Sequence, residues 1–212
     1  MFGKFAEISG ATWGALAALA LIGAGLIVLA RGQKQLRSPR ALAIGALCVA
    51  LAFVLSSVRL FRMPQGGSVT PASMLPILAF AFYFGLAPGL LAGVAYGLLQ
   101  LLQDFWILNM WQMLLDYPIA FGLLALAALF RTMPESYGFL VGITVGIVGR
   151  FVAAVLSGVV FFSEYAGEMN PWLYSMGYNG SYLVIEALIC VAIAAIPAVR
   201  ATLKRVTAVA AA

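Results

Sequence analysis

The chain has 212 residues, of which 64% are hydrophobic and 9% are charged, and its formal net charge is +5. A water-soluble domain of this length cannot bury so much apolar surface, so the composition excludes a soluble globular fold and indicates an integral membrane protein. The apolar stretches are long and lack the ten-residue alternation of outer-membrane barrels, which favours an all-α fold.

Seven apolar stretches come close to the length of about 20 residues that a membrane helix needs. The first, 10–31, ends in the basic sequence ARGQKQLRSPR rather than in a small-residue cleavage site, so we interpret it as a membrane helix and not as a signal peptide. The next six are predicted at 41–60, 72–85, 86–103, 111–131, 138–162 and 174–199, of which the span at 72–85 is short.

The distribution of charge predicts the orientation of these spans. Basic residues occupy the link between the first two spans and the C-terminal tail, and the positive-inside rule makes that side, including the C-terminus, cytoplasmic; they are Arg31, Lys34, Arg37, Arg40, Arg200, Lys204 and Arg205. Arg59 and Arg62 lie on the opposite side and are exceptions to the rule. The positive charge therefore reflects membrane orientation, and no basic patch with interleaved aromatics indicates a nucleic-acid partner.

The residue types exclude several kinds of chemistry. The sequence contains no histidine, which excludes Ser–His hydrolysis and histidine-ligated metal sites. Cys48 and Cys190 each stand alone in an apolar stretch, which is typical of small packing residues. No P-loop pattern is found, so ATP hydrolysis would require another subunit. We expect a protein that is not an enzyme and that uses no metal or cofactor.

Four polar residues lie inside predicted spans, and such residues are candidates for a functional site; they are Asp116, Arg150, Asn179 and Glu186. An internal ion pair of Arg150 with Asp116 or Glu186 is the structural alternative. The last span also carries a polar stripe at spacings of four, three and four, which places Ser175, Asn179, Tyr182 and Glu186 on one helix face.

Aromatic residues concentrate near the same ends of the spans as Asp116 and Asn179, and they include Tyr117, Phe162, Trp172 and Tyr174. An interfacial aromatic belt would account for some of them. Rings together with a carboxylate and an amide, however, form a pocket for a flat, cationic, hydrogen-bonding small molecule. The turn-forming sequence RMPQGGSVTP between the second and third spans is either a lid over this pocket or a plain connector.

Four blocks in consistent order, FRMPQGGSVTPASMLPI, GLLAGVAYGLLQLL, LLDYPIAFGLLALA and SGVVFFSEYAGEMNPWLYSMGYNGSY, make the chain resemble the thiamine-specific S component of energy-coupling-factor (ECF) vitamin transporters. The resemblance implies a six-helix membrane fold at 40–205, after an extra N-terminal helix and linker at 1–39 and before a tail at 206–212. It also implies a bacterial or archaeal plasma-membrane protein that binds thiamine and docks onto a transmembrane subunit with two cytoplasmic ATPases.

The resemblance also implies roles for individual residues. The family's ligand-binding carboxylate matches Asp116, its tyrosine and asparagine match Tyr174 and Asn179, and its lid loop matches Gly66 to Thr70. The alanines of the docking surface match Ala46 and Ala50, whose spacing also lets a second helix approach closely.

The chain departs from the family pattern at three positions. A family histidine matches Ala154, a pocket tryptophan matches Phe162, and a lid tryptophan falls near Gly67.

These considerations lead to one functional hypothesis and two rivals. We expect Asp116 to offset the thiazolium charge, Phe162 and Trp172 to stack, Tyr174 and Asn179 to read the pyrimidine edge, and Tyr117 and Gly67 to complete the site. The main alternative is a stand-alone secondary transporter driven by protons through Asp116 or Glu186. A structural membrane subunit without a ligand is the second alternative.

Overall fold

A computed structural model describes residues 38–103, 107–108 and 110–211, with side chains up to residue 205. The predicted N-terminal membrane helix at 10–31 lies outside the described residues. The helices are α1 (Pro39–Ser57), α2 (Leu75–Phe84), α3 (Leu86–Gln103), α4 (Met110–Phe130), α5 (Glu135–Phe161), α6 (Pro171–Ala195) and α7 (Pro197–Ala211). Two short strands, β1 (Phe61–Arg62) and β2 (Ser68–Val69), and a 3₁₀ turn at Ser163–Ala166 complete the described elements.

The all-α membrane fold predicted from composition is confirmed. Five of the helices, α1, α3, α4, α5 and α6, are long and apolar enough to cross a bilayer. The sixth, α2, has only 10 residues and is buried on almost every side, from Leu75 to Phe84. A helix that is apolar all round belongs in the centre of a bundle, and α2 packs there between α1, α3 and α4.

Helix α2 is short and follows a β-hairpin. Ten helical residues rise only about 15 Å, roughly half of the hydrocarbon thickness of a bilayer. The helix is preceded by an antiparallel β-hairpin, in which Phe61 pairs with Val69 and Arg62 with Ser68. We refer to the end of the bundle that carries this hairpin as the hairpin end.

The fourth span does not continue as a regular α-helix. Its residues Leu115–Ile119 form a π-helical turn that contains Pro118, and Leu123–Phe130 form a 3₁₀ helix. Proline has no N–H and its ring collides with the carbonyl one turn earlier, so a widened turn is the expected response. This turn carries Asp116.

The last predicted span, 174–199, is divided in the structure. Helix α6 ends at Ala195 because Ile196, which precedes Pro197, adopts an extended conformation with ψ of 118°. Helix α7 then begins at Pro197 and continues to Ala211, through part of the predicted tail. Lys204 of α7 forms a salt bridge of 2.9 Å with Glu135 at the start of α5, at the end of the bundle opposite the hairpin.

Candidate ligand-binding cavity

A cavity lies beneath the hairpin, between α4, α5 and α6. It encloses about 920 Å³ free of protein atoms, its open mouth included. Its walls carry a carboxylate, a guanidinium, several amides and hydroxyls, and a set of aromatic rings: Tyr117, Phe121, Phe162, Tyr165, Tyr174, Tyr178 and Tyr182.

Helix α4 supplies the carboxylate of the cavity. Asp116 lies on the π-helical turn, and its Oδ2 accepts a hydrogen bond of 2.5 Å from the side-chain amide of Gln112, four residues earlier. Gln112 is only 2% exposed and its Oε1 accepts from the Leu108 N–H, so the amide is fixed in place. Among the described residues, no cationic group lies within 4.0 Å of Asp116. In the described part of the chain its carboxyl group therefore faces the cavity without a direct ion pair.

Helix α5 supplies both a cation and an unpaired hydroxyl. The guanidinium of Arg150 lies 4.0 Å from the centroid of the Phe121 ring and donates to the sulfur of Met74 at 2.9 Å. The expected alternative of an ion pair with Asp116 or Glu186 is not found among the described residues. Ser157 is 1% exposed, and its hydroxyl has no hydrogen-bond partner in the described part of the chain.

The polar stripe of α6 lines the opposite wall. Asn179 donates from Nδ2 to the backbone carbonyl of Ser175 at 3.0 Å, and its Oδ1 accepts from the hydroxyl of Tyr182 at 3.0 Å. The hydroxyl of Ser175 donates to the carbonyl of Val155 on α5 at 2.8 Å. These bonds hold the amide of Asn179 at a defined orientation and leave one lone pair of Oδ1 for a ligand donor.

The hairpin covers the cavity from above. The Tyr178 hydroxyl accepts from the N–H of Gln65 and donates to the carbonyl of Gly66, both at 2.9 Å. Gly67 has a φ of 85° and lies against Tyr182, so a Cβ at this position would approach the ring to 2.8 Å. Both the backbone conformation and the close ring favour glycine at this position.

Most of the predicted site residues lie together in this cavity, and they are Gly67, Asp116, Tyr117, Phe162, Tyr174 and Asn179. Trp172, which we expected to stack on the ligand, is not among the lining residues. It lies in the first turn of α6, two residues before Tyr174, and is 47% exposed. Glu186 lies outside the lining as well, although it belongs to the same stripe.

Sequence reasoning missed several lining residues. Gln112 has a recognisable signal, since it precedes Asp116 by four residues and therefore shares its helix face. Gln65 and Ser157 carry no comparable signal, because their placement depends on the hairpin pairing and on the packing of α5 against α6.

The two alanines predicted for docking lie elsewhere. Ala46 and Ala50 are exposed on α1 and line an apolar groove between α1 and α3, together with Leu42, Val49, Leu91, Ala95 and Leu99. The groove has almost no polar lining. Its shape, rather than any hydrogen bond, distinguishes it from the rest of the membrane-facing surface.

Comparisons with known proteins agree with this architecture. A family model described as "Thiamine transporter protein" matches residues 42–205. The chain is 33% identical over 160 residues to the thiamine transporter ThiT of Bacillus subtilis (strain 168), covering 68% of this chain and 83% of that protein. It is 29% identical over 137 residues to ThiT of Lacticaseibacillus paracasei, covering 57% of this chain and 68% of that one.

A solved structure of ThiT from Listeria monocytogenes shares the fold, with a TM-score of 0.70 at 24% identity, and the match covers 79% of this chain and 96% of that one. The family predicted from the four sequence blocks is thereby confirmed. The chain belongs to the thiamine transporter protein family.

Proposed function

We propose that this chain is the high-affinity thiamine-binding subunit of an ECF-type importer. The observation that carries the proposal is the cavity beneath the hairpin, which combines the carboxylate of Asp116, the rings of Phe162 and Tyr174 and the amide of Asn179 in a member of a thiamine transporter family. The curated relatives are named as thiamine transporters, which supports a transport role rather than an enzymatic one.

The chemistry of thiamine suits these walls. Its thiazolium carries a permanent positive charge, which Asp116 would offset, and its aminopyrimidine is flat and would stack against Phe162. The free lone pair of Asn179 Oδ1 would accept from the exocyclic amine, and Tyr174 would bond to the same edge. The unpaired hydroxyl of Ser157 is a further donor for the ligand. Arg150 would keep the cationic ring away from its own part of the cavity.

The hairpin would act as the lid of this site. It contacts α6 through two hydrogen bonds at Tyr178, and its tip contains Gly66 and Gly67 with φ values of 89° and 85°. Entry from the outer side requires the hairpin end to face outward. The basic residues Arg200, Lys204 and Arg205 of α7 at the other end support this orientation, with a cytoplasmic C-terminus.

Delivery would depend on partner subunits. The exposed alanines Ala46 and Ala50 let a helix of a transmembrane subunit approach α1 closely, and two cytoplasmic ATPases would supply the energy. The chain itself has no P-loop pattern.

The direct test of binding uses protein purified without added vitamin. We expect mass spectrometry of the released ligand to identify thiamine, and titration of thiamine to change the tryptophan fluorescence of the stripped protein in a saturable way. A stripped protein that shows no saturable response to thiamine would refute the proposal.

Transport assays in vesicles separate the proposal from a stand-alone proton-coupled carrier. We expect the chain alone to bind thiamine without net uptake, and uptake to begin when the transmembrane subunit, the ATPases and ATP are added. Uptake by the chain alone that follows a pH gradient would instead support proton coupling through Asp116 or Glu186.

A further inference from the structure

The base of the hairpin is tied to α6 by a buried carboxylate. Glu186 is 1% exposed and accepts three hydrogen bonds: from the Thr70 N–H at 2.9 Å, from the Thr70 hydroxyl at 2.5 Å and from the Ser73 hydroxyl at 3.1 Å. It does not line the ligand cavity. Its carboxylate is therefore committed to the segment that joins β2 to α2.

The bonding pattern holds Glu186 in place. Both of its carboxyl oxygens accept hydrogen bonds, Oε2 from the Thr70 N–H and Oε1 from the hydroxyls of Thr70 and Ser73. The Thr70 hydroxyl also accepts from the Ser73 N–H at 3.2 Å, which directs its proton toward Glu186. Among the described residues, no cation lies within 4.0 Å. A buried carboxyl group depends on such hydrogen bonds, because an unpaired polar group is costly away from water.

The segment held by Glu186 makes a sharp turn. Ala72, between Thr70 and Ser73, has a φ of 61°, in a region that residues with side chains rarely adopt, and its N–H donates to the Thr70 carbonyl at 2.8 Å. Such a conformation persists when surrounding contacts determine it. Glu186 accepts hydrogen bonds from Thr70 and Ser73, at the two ends of this turn, and thereby sets the orientation of the hairpin relative to α2.

The tip of the hairpin is held differently. Tyr178 precedes Glu186 by eight residues, about 12 Å along the helix. It is half-buried, and its two bonds reach only the backbone of Gln65 and Gly66. The base is buried and makes three hydrogen bonds through a carboxyl group, whereas the tip is half-buried and contains two glycines. The tip is therefore the more weakly held part of the hairpin.

We propose that Glu186 is a positioning residue for ligand retention, which holds the closed hairpin over the cavity through Thr70 and Ser73; the ligand part of this inference rests on the proposed function. Weakening the base shifts the hairpin toward open states. Since the ligand enters and leaves through open states, its association and dissociation rates rise together, and the affinity changes little.

The first experiment measures thiamine association and dissociation with the purified full-length chain. For Glu186→Gln we expect about a tenfold faster dissociation, because only one of the two acceptor oxygens remains, and a parallel rise in the association rate that leaves the dissociation constant within about twofold of the parent. Thr70→Val removes the hydroxyl and is expected to accelerate dissociation about fivefold. Thr70→Ser keeps a hydroxyl at this position and is expected to dissociate at close to the parent rate.

The matched control is Tyr83→Phe, which removes a hydroxyl that donates to a carboxylate, Glu135, at 2.8 Å at the opposite end of the bundle. We expect its dissociation rate to equal that of the parent. Unchanged dissociation in Thr70→Val, or an equal acceleration in Tyr83→Phe, would overturn the inference. If Glu186→Gln does not fold, the comparison of Thr70→Val with Thr70→Ser decides the question.

A second readout requires no ligand and remains decisive if the chain does not bind thiamine. Amide hydrogen exchange in the ligand-free protein is expected to speed up about tenfold across 61–70 in Glu186→Gln and Thr70→Val, and to remain unchanged across α5. A general loss of protection across the bundle, or unchanged exchange at 61–70, would mean that Glu186 does not position the hairpin.

Discussion

The cavity beneath the hairpin and the groove between α1 and α3 are built from the same kind of membrane helix, yet their walls differ completely. The cavity is lined by charged groups, amides and tyrosines, whereas the groove is lined by alanine, leucine and valine around Ala46 and Ala50. The first wall recognises a ligand by charge and hydrogen bonds. The second offers only shape.

The difference follows from the solvent of a membrane protein. Apolar side chains facing lipid cost nothing, so small residues on an outer surface matter only for how closely a neighbour can approach. Polar groups are expensive at the same depth, and they occur where protein or ligand partners satisfy them. Substitutions in the cavity should therefore change ligand binding without changing docking, and substitutions in the groove should do the reverse.

The largest effect is expected for Asp116→Asn. The substitution retains the shape and the bond from Gln112 but removes the negative charge, so thiamine affinity should fall about a hundredfold, in line with the loss of a charge-assisted interaction. Titration calorimetry measures the change. Glu135→Gln, at the other end of the bundle, is the control and should bind as the parent does. An unchanged affinity in Asp116→Asn would place the cationic ring elsewhere.

A somewhat smaller loss is expected for Asn179→Ala. Removing the amide breaks the ligand contact and also leaves the Tyr182 hydroxyl without its acceptor, so affinity should fall about ten- to a hundredfold. The control is Ser181→Ala, an exposed position on the same helix. Affinity that survives the loss of the amide would remove Asn179 from the site.

The groove is tested by Ala46→Phe. A ring at this exposed position should prevent the close approach of a partner helix and reduce uptake by the reconstituted complex about tenfold, because overpacking a tight contact costs about 1–3 kcal/mol. Thiamine affinity of the isolated chain should not change. Leu188→Phe, on the exposed face of α6, is the matched control. Equal uptake by Ala46→Phe and the parent would exclude Ala46 from the docking surface.

The smallest effect is expected for Trp172→Ala. Because this ring lies outside the cavity lining, its loss should change thiamine affinity less than about threefold, whereas Phe162→Ala should lower it about tenfold through the loss of stacking and buried area. The dissociation constants of the two variants show whether the bound ligand contacts Phe162 alone or also Trp172. A larger loss for Trp172→Ala would mean that the ligand extends to the first turn of α6.

Much of this arrangement could be predicted from residues alone. Helix spacing placed Ser175, Asn179, Tyr182 and Glu186 on one face, and all four are buried in the structure. The sequence also singled out Asp116 as a polar residue inside a predicted span, and the structure adds that it lies on a π-helical turn. Local period and composition are enough for such features, because a helix face is determined by a fixed rotation per residue.

Other features depend on contacts between distant parts of the chain. No local pattern predicted the two-residue strands of the hairpin, because their pairing with each other and their bonds to Tyr178 and Glu186 involve separations of up to 116 residues. The lining of the cavity is a further example: it includes Tyr174 but not Trp172, two residues earlier on the same helix, so the stacking predicted for Trp172 stays a prediction.

By itself, the sequence determined a bundle of apolar helices with a few polar side chains on defined faces, because hydrophobicity and helical period are local properties. Only the tertiary structure decided which of those polar groups meet. It placed Asp116 and Asn179 in one cavity and directed Glu186 to the base of the hairpin, since the destination of a buried polar group depends on which donors and acceptors the rest of the chain brings to it.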